Sequence, residues 1–130
     1  MLRVFLDANV LFSAAWREGA GLLKLWETPG IRLLTSGYAA EEARRNLDSA
    51  ARRARLERLL EDVEIVPESP GTSLPPEARL PAGDEPILKA AIAARATHLV
   101  TGDLRDFGRL LDREVGGVRI QTPGVFLRTR

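Results

Sequence analysis

Apolar residues in this chain keep two rhythms. Short runs such as Leu2–Leu6 and Ile31–Thr35 have the length and continuity of buried strands. Between them, apolar positions recur every three or four residues, the spacing of a helix with one packed face. From Val10 to Glu27 the residues Val10, Leu11, Ala14, Ala15, Leu22, Leu23 and Trp26 keep helical spacing, and Gly19 and Gly21 mark a break between two helices. Ser36 is placed to cap a helix from Gly37 to about Asp48. A further helix runs from about Ser49 to Asp62, with Leu56, Leu59, Leu60 and Val63 at core spacing. Glu64–Val66 reads as a third strand. Asp84 is placed to cap a helix from Glu85 to about Ala96, with Pro86 in its first turn. His98–Thr101 is a fourth strand, Asp106–Asp112 a short helix, Val118–Gln121 a fifth strand, and the tail one last turn.

Alternating strands and helices predict an α/β fold, an α/β/α sandwich around a parallel sheet of about five strands. Crossovers in such sheets are right-handed, and ligands bind beyond the carboxyl ends of the strands at a topological switch point. Asp7 and Asp103 both follow strand ends. Residues 1–130 suit a single domain with no internal repeat. The segment from Pro67 to Gly83 holds five of the eight prolines and no periodic pattern, so it is a long loop.

Composition narrows the chemistry. The chain has no cysteine and one histidine, His98, which excludes disulfides and Cys- or His-rich zinc sites. A metal here must be held by oxygen, which favours Mg²⁺ or Mn²⁺. His98 lies early in its strand and reads as structural. No run of 18 apolar residues occurs and no basic leader precedes the first strand, so a cytoplasmic protein with no membrane segment is the expectation. A net charge of +1 gives no global field that announces nucleic acid.

The acids have ordinary explanations one at a time. Asp7 can cap the helix that follows the first strand, and Asn9 is a second polar group on that turn. Glu41 shares a helical face with Arg44 and Arg45, which suits a solvated ion pair. Glu42 stands one turn from Tyr38 and Ala39 and one turn before Asn46, so it is the more inward of the two, and an inward carboxylate needs a partner. Asp84 reads as a cap, Asp103 as a turn residue, and Asp106 as the cap of the short helix. Thr101 has a hydroxyl positioned to orient a carboxylate. In a parallel sheet Asp7, Glu42, Asp84 and Asp103 can all face one edge. Four carboxylates there repel one another unless a divalent cation joins them.

The series "VFLDANVLFSA", "TSGYAAEEARRNL" and "GDEPILKAAIAARATHLVTGDLRDF" resembles the PIN domain, and most of all its short VapC-like members, the toxins of toxin–antitoxin pairs. The resemblance runs from Leu2 to about Gln121, and "HLVTGDLRDF" is its most specific piece. It implies a PIN-like fold and an Mg²⁺- or Mn²⁺-dependent ribonuclease hydrolysing RNA phosphodiesters. Carried over residue by residue, it assigns the catalytic acids to Asp7, Glu42, Asp84 and Asp103. Asp7, Asp84 and Asp103 then hold the metal, with Asn9, Thr101 and Asp106 as auxiliaries. Glu41 stays open as the alternative to Glu42. The resemblance also implies an RNA substrate, a cognate antitoxin and a homodimer.

The Arg-rich stretch "ARRNLDSAARRARLERLL" offers Arg44, Arg45 and Arg52 as phosphate contacts. The competing reading is a solvated face with Arg53–Glu57 and Arg58–Asp62 pairs at i,i+4. An aspartate-nucleophile phosphatase would want Asp where Asn9 stands. A receiver domain would want Asp at the end of the third strand, where Pro67 stands. "GAGLLK" lacks the third glycine of a dinucleotide fingerprint. The rival from another class is a non-catalytic PIN-like module that binds RNA or protein.

Overall fold

A computed structural model describes residues 1–130. The chain runs β1 (Leu2–Leu6), α1 (Ala8–Ala15), a 3₁₀ turn at Gly21–Leu23, α2 (Lys24–Glu27), β2 (Ile31–Ser36), α3 (Gly37–Asn46), α4 (Ala50–Leu60) and β3 (Glu64–Val66). After a 3₁₀ turn at Pro76–Ala78 come α5 (Glu85–Ala93), β4 (His98–Val100), α6 (Leu104–Phe107), a 3₁₀ turn at Gly108–Leu110, β5 (Glu114–Val115), β6 (Val118–Gln121) and α7 (Pro123–Arg128).

The six strands form one sheet in the order β3-β2-β1-β4-β6-β5, parallel except for the β5–β6 pair. From β1 the chain builds outward through β2 and β3, then returns to the other side of β1 with β4. The switch point therefore lies between β1 and β4, and the crevice beyond their carboxyl ends is where such a sheet receives ligands.

The continuous apolar runs are explained by cover on both faces. Successive side chains alternate across the sheet. Phe5, Leu34, Leu99 and Ile120 pack on one side with Leu88 and Phe107. Val4, Leu6, Leu33 and Val100 pack on the other with Leu11, Leu25, Leu47, Leu56 and Phe126. Each fully buried side chain of this size contributes roughly 1.5–3 kcal/mol relative to exposure.

Several local expectations change. The extra strand, β5, hairpins onto β6 through Gly116 and Gly117, both at positive φ (57° and 85°). A two-residue strand carries too little pattern to be read from sequence. The break expected around Gly19 and Gly21 is present: α1 ends at Ala15, and helical structure resumes with the 3₁₀ turn at Gly21–Leu23 and α2. Helix α5 stops at Ala93, and Arg95 turns the chain at φ 57°. Asp103, not Asp106, caps α6, because its side chain accepts from Arg105 N–H and Asp106 N–H. Asp84 stands at the start of α5 but its side chain caps nothing. Ser36 does cap α3, through the Ala39 N–H at 3.2 Å. The Arg53–Glu57 and Arg58–Asp62 pairs do not form: Glu57 pairs across to Arg44 on α3 at 2.6 Å. No helix is long and apolar enough to cross a membrane.

Candidate active site

Asp7 ends β1, and its backbone N–H continues the ladder to Val100 O at 3.1 Å. The side chain is 3% exposed. Its two oxygens have separate duties. Oδ1 accepts the Ala8 N–H at 2.7 Å and caps α1. Oδ2 accepts from the Thr101 hydroxyl at 2.7 Å and from Asn9 Nδ2 at 3.2 Å. One carboxylate thus both caps α1 and lines the acidic cavity. Burial pushes its pKa up, the Thr101 and Ala8 hydrogen bonds pull it down, and the charges of Glu42 and Asp103 push it up.

Thr101 and Asn9 fasten the loop after β4 to the β1–α1 junction. Thr101 Oγ1, fully buried, also accepts the Asp103 N–H at 3.0 Å. Asn9 Oδ1 accepts the Gly102 N–H at 2.8 Å. A Cβ on Gly102 would lie 3.3 Å from that same oxygen, so the glycine permits the close approach. These bonds fix where Asp103 starts.

Asp103 uses Oδ1 to cap α6, accepting from Arg105 N–H at 3.1 Å and Asp106 N–H at 3.0 Å. Asp84 enters from the turn before α5. That turn is tied down by Tyr38, whose hydroxyl donates to Gly83 O at 3.0 Å. One oxygen each of Asp84, Asp103 and Asp106 lie within 4.8 Å of one another. Burial, then the adjacent Asp106, then the charges of Asp7 and Asp103 push the Asp84 carboxyl up to about 7. Glu42, half-buried on the second turn of α3, faces the same space, and its carboxylate has no protein partner. Glu41 is exposed and pairs with Arg44 at 3.0 Å.

Asp7, Asn9, Glu42, Asp84 and Asp103, together with Ala8, Phe12 and Asn46, line a cavity of about 380 Å³. No Lys or Arg lines it. The chain's six ion pairs engage Glu41, Asp48, Glu57, Glu64 and Glu114, and none reaches these acids. A cluster of uncompensated carboxylates, some forced toward protonation, with oxygen as its sole donor type, fits a hard divalent cation. Asp106, an auxiliary in the sequence reading, stands beside Asp84 and Asp103 rather than at the margin.

Other residues fall outside. His98 begins β4, at the far end from the acids. It is half-buried, with Nδ1 3.0 Å from Thr97 Oγ1 and its ring edge-on to Phe126. Burial and the charges of Arg130 and Arg119 lower its pKa. Arg44 is held by Glu41 and Glu57, and Arg52 by Asp48 at 2.6 Å and Trp16 O at 2.9 Å; Arg45 is exposed. Phe12, Asn46 and Tyr38 were not singled out in the sequence as site residues. Phe12 at three residues after Asn9, and Asn46 at four after Glu42, share helical faces with acids or their clamps, the signal that would have found them.

The family model for the PIN domain matches residues 3–105. Among solved structures, the fold is similar to VapBC2 from Rickettsia felis bound to a DNA fragment from their promoter. That match has a TM-score of 0.71 and 18% identity, covering 93% of this chain and 98% of that one. It is also similar to FitAB bound to an IR36 DNA fragment, at TM-score 0.58 and 15% identity, covering 92% of this chain and 94% of that one. No curated protein matches the chain.

Proposed function

This chain belongs to the PIN domain family, and from that premise we propose that it is a divalent-metal-dependent ribonuclease, the toxin of a toxin–antitoxin pair. One observation carries the reading. Carboxylates delivered by β1, α3, the turn before α5 and the loop after β4 meet in one cavity at the sheet's switch point, with no protein cation among them.

When bound, Mg²⁺ or Mn²⁺ polarises a phosphoryl oxygen and makes water a better nucleophile near neutral pH. Asp84, Asp103 and Asp106 would hold the ion; Asp7, a metal ligand in the sequence reading along with Asp84 and Asp103, lines the same cavity with both oxygens already hydrogen-bonded. Burial and the neighbouring acids push the Asp84 carboxyl up to about 7, and a bound cation would favour its ionised form. Asp7 acts from a fixed position, because both of its oxygens are hydrogen-bonded. Asn9 and Thr101 hold the two halves of the site in register. Glu42 is free to accept a proton from water at its carboxylate. The reaction is in-line hydrolysis of an RNA phosphodiester.

The toxin assignment is supported by likeness to the VapBC2 and FitAB structures. On this reading a cognate antitoxin covers the acidic cavity and offers it an arginine, and the toxin itself is a homodimer. Light scattering then gives twice the 14.3 kDa chain mass. A mass near the single chain rejects the dimer. A neighbouring reading frame whose product neither binds nor inhibits the chain counts against the antitoxin.

The deciding experiment is cleavage of labelled single-stranded and structured RNAs in Mn²⁺, Mg²⁺ or EDTA, with Asp7→Asn purified in parallel. Cleavage that requires metal and vanishes in Asp7→Asn is the expected result. Equal cleavage by both proteins, or none by either across the RNA set, refutes the assignment.

A further inference from the structure

One wall of the acidic cavity holds no charge. Of the four phenylalanines, Phe5, Phe107 and Phe126 are fully buried. Phe12 is not, and its ring lines the cavity beside the carboxylates. It sits one turn along α1 from Asn9, so the two share a face.

The ring is backed by a stack. Its centroid lies 5.2 Å from that of Trp16, with the planes tilted by 39°. The Arg52 guanidinium covers Trp16 at 3.5 Å from the ring centroid. Arg52 is itself anchored to Trp16 O at 2.9 Å and Asp48 at 2.6 Å. Aromatic and cation–π contacts in series thus back the Phe12 ring.

An RNA phosphate approaching this cavity meets carboxylates and no protein cation. Beyond what a bound metal would hold, the contacts this cavity can offer RNA carry no positive charge. A nucleobase offers such a contact through its π face, but only when unpaired and unstacked. We propose that Phe12 is a stacking platform for a nucleobase flanking the scissile phosphodiester. The inference rests on the ribonuclease reading and adds to it a base-contacting residue.

The test is an abasic scan. Single-stranded oligoribonucleotides carrying one abasic residue at successive positions around the cut are assayed with wild type, Phe12→Leu and Phe12→Tyr. In wild type one flanking position raises KM about tenfold, the scale of one lost base–aromatic stack. Phe12→Leu shows that tenfold loss with intact RNA and no further loss with the abasic one. Phe12→Tyr, which keeps the ring, behaves as wild type. Retained Mn²⁺ stabilisation of Phe12→Leu shows that the acid cluster is intact; if that variant does not fold, Phe12→Met, which fills the space without a ring, takes its place with the same expected outcome.

A second readout needs no turnover. In the Asp7→Asn protein with Mn²⁺, 2-aminopurine at the sensitive position is quenched on binding, and the quench is lost in Asp7→Asn/Phe12→Leu. If wild type cleaves but tolerates abasic residues everywhere, or if Phe12→Leu keeps the same sensitivity, the platform is refuted and the nuclease stands. If no RNA is bound or cut, both fall together.

Discussion

Replacing Asp84 by Asn should make the metal-free protein more stable at neutral pH while weakening its response to metal. The Asp84 carboxyl is raised from 3.8 to about 7 by burial and by Asp106, Asp7 and Asp103. A raised carboxyl contributes stability that is fully present below its unfolded pKa and is lost as pH climbs through its folded pKa. The window is therefore about pH 4 to 7. At full weight that interval corresponds to about 4 kcal/mol. Asp84 is half-exposed, and solvent screening reduces the figure to about 1 kcal/mol.

Asn cannot ionise, so in EDTA near pH 8 Asp84→Asn should exceed wild type by about 1 kcal/mol, or about 3–5 °C in Tm for a chain of this size. Near pH 4 the two should converge. Adding Mn²⁺ reverses the order. A ligand at a hundred times its Kd adds about 2.7 kcal/mol to wild type, and a variant lacking one ligand gains less. The difference between the proteins is the quantity to read. Asp7 is also raised, while Asp48 and Glu57, held by Arg52 and Arg44, are lowered and act in the opposite sense. These groups are common to both proteins. Scanning fluorimetry across pH, with and without Mn²⁺, supplies the data. If the variant is the less stable protein in EDTA at pH 8, or if the two curves run parallel from pH 4 to 8, the carboxylates are not held in electrostatic conflict and the argument for a cation fails.

Thr101→Val removes the donor to Asp7 and the acceptor of the Asp103 N–H. It should cost about 2 kcal/mol, seen as a lower urea midpoint with an unchanged m-value, and Thr101→Ser should recover most of it; a loss below about 0.5 kcal/mol would contradict the clamp. Glu42→Gln should reduce metal-dependent RNA cleavage at least tenfold, whereas Glu41→Gln, which loses only an exposed pair with Arg44, should stay within about 0.5 kcal/mol and near wild-type activity; the reverse pattern would move the helical acid to Glu41. Gly116→Ala should destabilise by about 1–2 kcal/mol in equilibrium unfolding. The φ there is 57°, and the new methyl carbon meets Ile92 Cδ1 at 2.8 Å; a neutral result would show that the β5–β6 turn can change conformation freely.

The elements were largely legible because their signals are local. Apolar runs bounded by polar residues located β1, β2, β3, β4 and β6 to within a residue or so. Ser36 announced its helix because an N-cap hydroxyl competes for a backbone donor only three residues away. Helix ends were less legible. In Val10–Glu27 the glycines announced the break between two helices, but not that α1 would stop as early as Ala15. Ala94 to Ala96 still looks helical, yet the chain must turn at Arg95 to enter β4.

The acids divide in the same way. Sequence alone determined that carboxylates follow strand ends, that no cysteine and only one histidine compete with them, and that Glu42 is more inward than Glu41. All of these depend on neighbours within a turn or two. Only the tertiary structure decided what each oxygen does. Asp7 both caps α1 and lines the acidic cavity, because Thr101 from the end of β4 and Asn9 from α1 hold its second oxygen there. Asp103 takes the cap assigned to Asp106, and Asp106 then falls beside Asp84. Glu57 leaves its i,i+4 partner for Arg44 on the neighbouring helix. Strand order places β1 against β4, and the residues it joins are about 90 positions apart in the chain. Local patterns specify which side chains lie on which face. Which faces meet is set by global packing, and the charge state of a buried carboxylate follows from whatever that packing brings within a few ångströms.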